Sequence, residues 1–160
     1  MSKHIRSIVA FCVLLVISIS VGCTTFIYYN VVRPELLLQA SASGNIKTLT
    51  NLLDAGVPID TKDGWNGTPM FYAAGNGHLD IVKLLISRGI DVDTKYRMNK
   101  TALICAAQHG HFEVVKFLLN ENAKSNLKDT DNKTALDYAR EGNYVELESL
   151  LQLYETKTNN

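Results

Sequence analysis

Apolar positions return along most of this chain in one frame, 33 residues apart. Leu52, Leu85 and Leu118 share that frame, as do Leu53, Ile86 and Leu119, and Ala40, Ala73 and Ala106. Polar and turn-forming positions keep the same interval: Asn66, Asn99 and Asn132; Thr68, Thr101 and Thr134; Gly44, Gly77 and Gly110; Gly56, Gly89 and Asn122. So many series in one register mark a stack of small, near-identical units. A fourth copy, Thr134 to Leu151, keeps Thr-Ala-Leu and the closing Leu-Leu but reads one residue short before Gly142. Terminal units of such stacks are commonly irregular, because one face of each meets solvent.

Inside a unit the pattern predicts two short helices. The first opens at Thr68-Pro69, with threonine as N-cap and proline at a position whose N–H has no helical partner. Met70, Ala73 and Ala74 fall on one side of it, and Gly77 stops it. The second runs from about Leu79 to Ser87, with Leu79, Val82, Leu85 and Ile86 as its buried stripe and Gly89 as its cap. Helices of two to three turns are too short to stand alone in water, so each pair must bury its apolar side on the next pair. The alanines at 73–74 and 106–107 allow close approach of successive first helices.

The run Gly67-Thr-Pro-Met-Phe-Tyr-Ala-Ala-Gly-Asn-Gly-His-Leu-Asp-Ile-Val-Lys-Leu-Leu-Ile86 resembles the ankyrin repeat. The resemblance covers about Pro34 to Leu153 and implies an all-α solenoid of about four helix–turn–helix units joined by β-turns. Units are expected at 34–62, 63–95, 96–128 and 129–153, with a polar tail at 154–160. The chain departs from the family pattern at Phe71 and Ile104, where a histidine is usual, and at Ala102 and Ala135, where a proline is usual. Asn66, Asn99 and Asn132 replace the usual turn glycine. Asparagine tolerates positive φ well enough for the turn to survive. The segment Glu35–Gly44 resembles a truncated first repeat, its inner helix starting at Pro34.

Residues 1–33 follow a different pattern. Lys3, His4 and Arg6 precede an uncharged run from Ser7 to Val32, closed by Arg33-Pro34. As a helix this run spans about 39 Å, against a hydrocarbon core of about 30 Å. Phe26, Tyr28 and Tyr29 lie at its far end, where aromatic rings favour the headgroup region. The run reads as an N-terminal hydrophobic helix anchoring the chain, with the N-terminus cytoplasmic and the repeats extracytoplasmic. A bacterial lipoprotein signal is the competing reading, since Ser20-Val21-Gly22-Cys23 resembles a lipobox with Cys23 as the lipidated residue. The apolar stretch Phe26–Val32 after that cysteine is not the polar tether such signals usually carry.

The chain is formally neutral, but its charge is unevenly placed. All 16 acidic residues lie from Glu35 onward, together with all but three (Lys3, Arg6 and Arg33) of the 16 basic ones. A mildly acidic repeat domain lacks the electrostatic footprint of a nucleic-acid binder. Three cysteines make no disulfide framework, and Cys105, on an inner helix, reads as a small hydrophobe. The Asn-x-Thr triplets at 66–68, 99–101 and 132–134 match a glycosylation acceptor but fall on turn and cap positions, which favours a bacterial setting, the periplasm. His78 and His111 occupy the Gly-His position of the repeat, where the imidazole ties the helix–helix turn together. No metal-ligand set, phosphate loop or nucleophile motif emerges, so no cofactor, metal, small-molecule substrate or catalytic step is expected.

What the resemblance implies is binding to another protein through turn tips and the exposed ends of the inner helices. Carried over by register, the contact residues are Trp65 and Asn76 in the second unit, with Gly64 and Gly75 beside them. The third unit offers Tyr96, Arg97, Met98, Lys100, Gln108 and His109; the fourth offers Asp131 and Lys133, beside Thr130. Trp65, the only tryptophan, is either an interface anchor or a cap folded over the first unit. A periplasmic inhibitor or immunity protein and an envelope scaffold are the alternative roles.

Overall fold

The structure, a computed structural model, describes residues 33–158. The anchor or lipoprotein segment expected at 1–33, Cys23 included, lies outside the described residues apart from Arg33. Among the described residues no helix is long and apolar enough to cross a membrane.

Among the described residues, eight α-helices form four antiparallel pairs: α1 (Arg33–Ser43) with α2 (Ile46–Asp54), α3 (Pro69–Gly75) with α4 (Leu79–Ser87), α5 (Ala102–Gln108) with α6 (Phe112–Asn120), and α7 (Ala135–Glu141) with α8 (Val145–Thr158). The inner helices α1, α3, α5 and α7 pack in a continuous row; the outer helices α2, α4, α6 and α8 form a second, looser row. Met70, Ala73 and Ala74 of α3, and Ala102 to Ala107 of α5, are buried between neighbours, so the small residues do permit the close inner row.

Each inner helix starts where its threonine caps it. Thr68, Thr101 and Thr134 accept from the backbone N–H of Phe71, Ile104 and Asp137 at 3.2, 3.3 and 3.3 Å. Asp137 returns the favour to Thr134 N–H at 2.8 Å, completing a capping box. Helix α3 ends at Gly75, and Gly77 at φ +76° lets His78 N–H reach the Ala73 carbonyl at 2.9 Å. A Cβ on Gly77 would sit 2.6 Å from the His111 ring, so the glycine serves both the turn and the next unit's approach. His78 and His111 reach back to the carbonyls of Ala42 and Gly75 at 3.0 and 2.9 Å, tying each unit to the one before it.

Two expectations are corrected. The stripe of α4 is Ile81, Val82 and Leu85, with Leu79 and Ile86 only half-buried. Helix α4 packs on α3 within its pair and on α2 and α6 along the outer row, and this three-sided contact shifts the buried arc. The fourth unit is not one residue short: Asn143 holds the left-handed position at φ +56°, while Gly142 is an ordinary right-handed cap. Helix α8 continues to Thr158 through most of the stretch read as a polar tail.

Candidate partner-binding groove

The turns between units carry the residues of interest, and their chemistry is set by one register position: Asp63, Tyr96 and Asp129. Asp63 Oδ1 accepts from the N–H groups of Trp65 and Gly67, both at 2.8 Å. Its other oxygen accepts from the Tyr72 hydroxyl. Asp129 repeats the arrangement, with the N–H groups of Asp131 and Lys133 at 2.9 and 3.1 Å and the Tyr138 hydroxyl at 2.6 Å. Burial pushes both carboxyl groups upward in pKa, but these hydrogen bonds outweigh it and hold both below the usual range. Asn66 and Asn132 take φ +65° and +61° to close the two turns.

The middle turn has no such acceptor, because Tyr96 stands in the aspartate position. Its backbone closes instead as a tight two-residue turn, with Met98 and Asn99 at φ +57° and +56° and Lys100 N–H bonded to the Arg97 carbonyl at 3.2 Å. A left-handed methionine costs on the order of 1 kcal/mol. The Met98 carbonyl then accepts from Thr130 N–H at 3.0 Å, linking the tip to the following one.

Between the second and third units lies a groove of about 300 Å³. Six of the residues expected from the repeat register line it: Asn76, Arg97, Met98, Lys100, Gln108 and His109. Trp65 stands 71% exposed at its edge with the Arg97 guanidinium 5.3 Å from its ring centre, so it does not fold over the first unit as a cap. Asp131 and Lys133 lie outside the groove, on the next turn; Lys133 is paired with Glu141 at 2.6 Å.

Two of the expected contact residues have little exposed surface. Tyr96 is buried, since the aspartate position points beneath the turn rather than out of it. Lys100 is also buried overall; its ammonium donates to Gln108 at 2.6 Å and lies 4.6 Å from the Tyr138 ring centre. Asn76 and His109 have anchors too, on the carbonyls of Ala42 and Cys105 at 3.0 and 2.9 Å.

Register reasoning missed Phe71, Tyr72 and Cys105, which form the groove's inner wall. The signal was present in the sequence. Lys100–Gln108 and Lys133–Glu141 are equivalent pairs whose ammonium groups both lie over the Tyr138 ring, and the matching pair in the second unit is Gly67–Gly75. Two glycines where later units carry long polar side chains leave the Tyr72 side of the groove uncovered. Cys105 is buried, and that burial lifts its pKa to about 12, away from the thiolate form that a nucleophile needs.

With this geometry in view, the family comparison is decisive. A family model described as ankyrin repeats, three copies, matches residues 36–129 and again 97–160. The chain belongs to the ankyrin-repeat family. A search of curated proteins finds no match to it. Ankyrin repeats generally mediate protein–protein interaction and are typically non-catalytic binding modules.

Proposed function

We propose that the chain is a membrane-tethered ankyrin module that binds another protein through the groove between its second and third units, on the extracytoplasmic side of a bacterial envelope. The observation that carries this reading is the exposed Trp65 with Arg97 over its ring, beside exposed Met98 at the mouth of the groove. Tryptophan and arginine are the residues most often found as binding anchors, and the pair is already partly ordered before a partner arrives. Asn76, Gln108 and His109 supply polar contacts inside the groove, and Asp131 and Lys133 extend the surface to the next turn. The tether rests on the uncharged run from Ser7 to Val32 behind a basic start.

Trp65→Ala is expected to weaken partner binding at least thirtyfold, about 2 kcal/mol, in a pull-down from solubilised membranes. Its melting temperature should stay close to the parent's, because the side chain is mostly in solvent. Undiminished recovery of the partner by a folded Trp65→Ala protein would remove the groove edge from the interface. Intact mass separates the tethers: a retained Met1 supports the anchor helix, and a chain starting at a lipidated Cys23 supports the lipoprotein.

A further inference from the structure

The groove between the second and third units is basic, in a domain with slightly more acids than bases. Arg97, Lys100 and His109 line it, and no carboxylate among the described residues does. Arg97 stands where the neighbouring units carry Gly64 and Thr130, so the tips on either side lack this cation. Its side chain is exposed and lies against the Trp65 ring. No carboxylate among the described residues comes within ion-pair distance of it.

Lys100 shows the same imbalance by a different route. One unit later the equivalent lysine, Lys133, pairs with the Glu141 carboxylate at 2.6 Å. Gln108 stands at the Glu141 position of the third unit, so the buried Lys100 meets a neutral amide oxygen instead, also at 2.6 Å. Gln108 gives its oxygen to that bond, and its amide N–H groups have no hydrogen-bond partner among the described residues. The carboxylates that feel the two cations are Asp63 for Arg97 and Asp129 for Lys100. Each is held at its own turn by two backbone amides and a tyrosine hydroxyl, and neither lines the groove. A buried ammonium with no carboxylate in contact is costly, and an anion brought into the groove lowers that cost.

We propose, on the reading that this groove is the interface, that its occupant is an acidic segment of the partner protein, with a glutamate or aspartate next to a large apolar residue. The carboxylate pairs with the Arg97 guanidinium, whose planar fork matches it, and takes the Gln108 amide donors in the same groove. Lys100, already fixed on Gln108 and over the Tyr138 ring, adds charge rather than contact. The apolar neighbour packs on Phe71, Tyr72 and the exposed Met98. An electrostatic match of this kind selects among partners more than it adds raw affinity, so neutral and basic segments are disfavoured.

The test is a selection of random dodecapeptides displayed on phage against the detergent-solubilised full chain. Affinities are then measured by fluorescence anisotropy for the peptides whose binding is lost in Trp65→Ala. Those peptides should be enriched in glutamate or aspartate beside a large apolar residue. Changing that acid to its amide should weaken binding about tenfold or more, and Arg97→Gln should do the same. The two losses should not add, because both break one ion pair. Trp65-dependent peptides that are neutral or basic overturn the acidic occupant while leaving the groove as the interface. So does an unchanged affinity in Arg97→Gln, or a loss equal for the acidic peptide and its amide, since Arg97 would then serve only to position Trp65. Absence of any Trp65-dependent peptide removes the groove itself, and the acidic occupant with it.

Discussion

Leu118→Ala and Leu85→Ala each lower the free energy of unfolding by about 2–5 kcal/mol. Both leucines are fully buried, on α6 and α4, and they occupy the same place in successive units. Truncation removes the transfer energy of three carbons and leaves a cavity that short helices held by neighbours on both sides cannot collapse around. In a stack each unit is stable only through its neighbours, so a defect in the second or third unit weakens two interfaces at once. A natural domain has only about 5–15 kcal/mol in hand, so the loss is a large share of the total. Urea denaturation followed by helical circular dichroism reads it directly. Near-neutral results at both positions would mean the 33-residue register does not describe the packing.

That register carried most of the fold because it couples backbone demands to identity. A threonine before a run of small residues, an asparagine two residues earlier and a glycine nine residues later each answer a local requirement for a cap, a left-handed turn and a helix stop. The bounds of α4 followed from these signals alone. The fourth unit shows where they mislead. Gly142 drew the helix stop to itself by residue type, although Asn143 stands at the correct spacing and takes the positive φ.

Tyr96 shows a second limit. Register identifies equivalent positions but not which way a side chain points, and an aromatic residue near a turn tip looks like a contact when read in one dimension. The direction is set by the two aspartates at equivalent positions, whose carboxylates turn back under their own turns. The groove itself was half legible. Its rim residues lie on the turn tips, while Tyr72 in its wall lies against Gly67, where an added Cβ would meet the tyrosine ring.

Asp129→Ala should cost about 2–4 kcal/mol, well above the effect of a typical exposed substitution. The carboxylate holds two turn amides and the hydroxyl of Tyr138, and both it and the tyrosine are buried. Alanine strands all three donors, with little room for water to replace the lost acceptor at Tyr138. Asp63→Ala breaks the same three bonds around Tyr72, but there the groups are half-buried, so water recovers part of the loss and the cost should be smaller. The comparison isolates burial from bond count.

The acid limb of stability provides the second readout. Asp129, Asp63 and Asp137 all have folded pKa values below the ordinary 3.8. For Asp137 the leading cause is the Thr134 N–H bonded to it. In the window between the folded values and 3.8, the unfolded chain binds more protons, so stability rises with pH. The contribution is complete above about pH 4 and disappears as pH falls through the folded values. Tyr138 runs the other way. Burial, followed by the bond to Asp129, raises its pKa above 10, so its contribution is complete below pH 10 and is lost as the pH climbs beyond that. Melting temperatures from pH 2 to 7 should therefore fall less steeply with acid in Asp129→Ala than in the parent. An unchanged acid slope together with an unchanged midpoint would mean that the turn stands without its carboxylate.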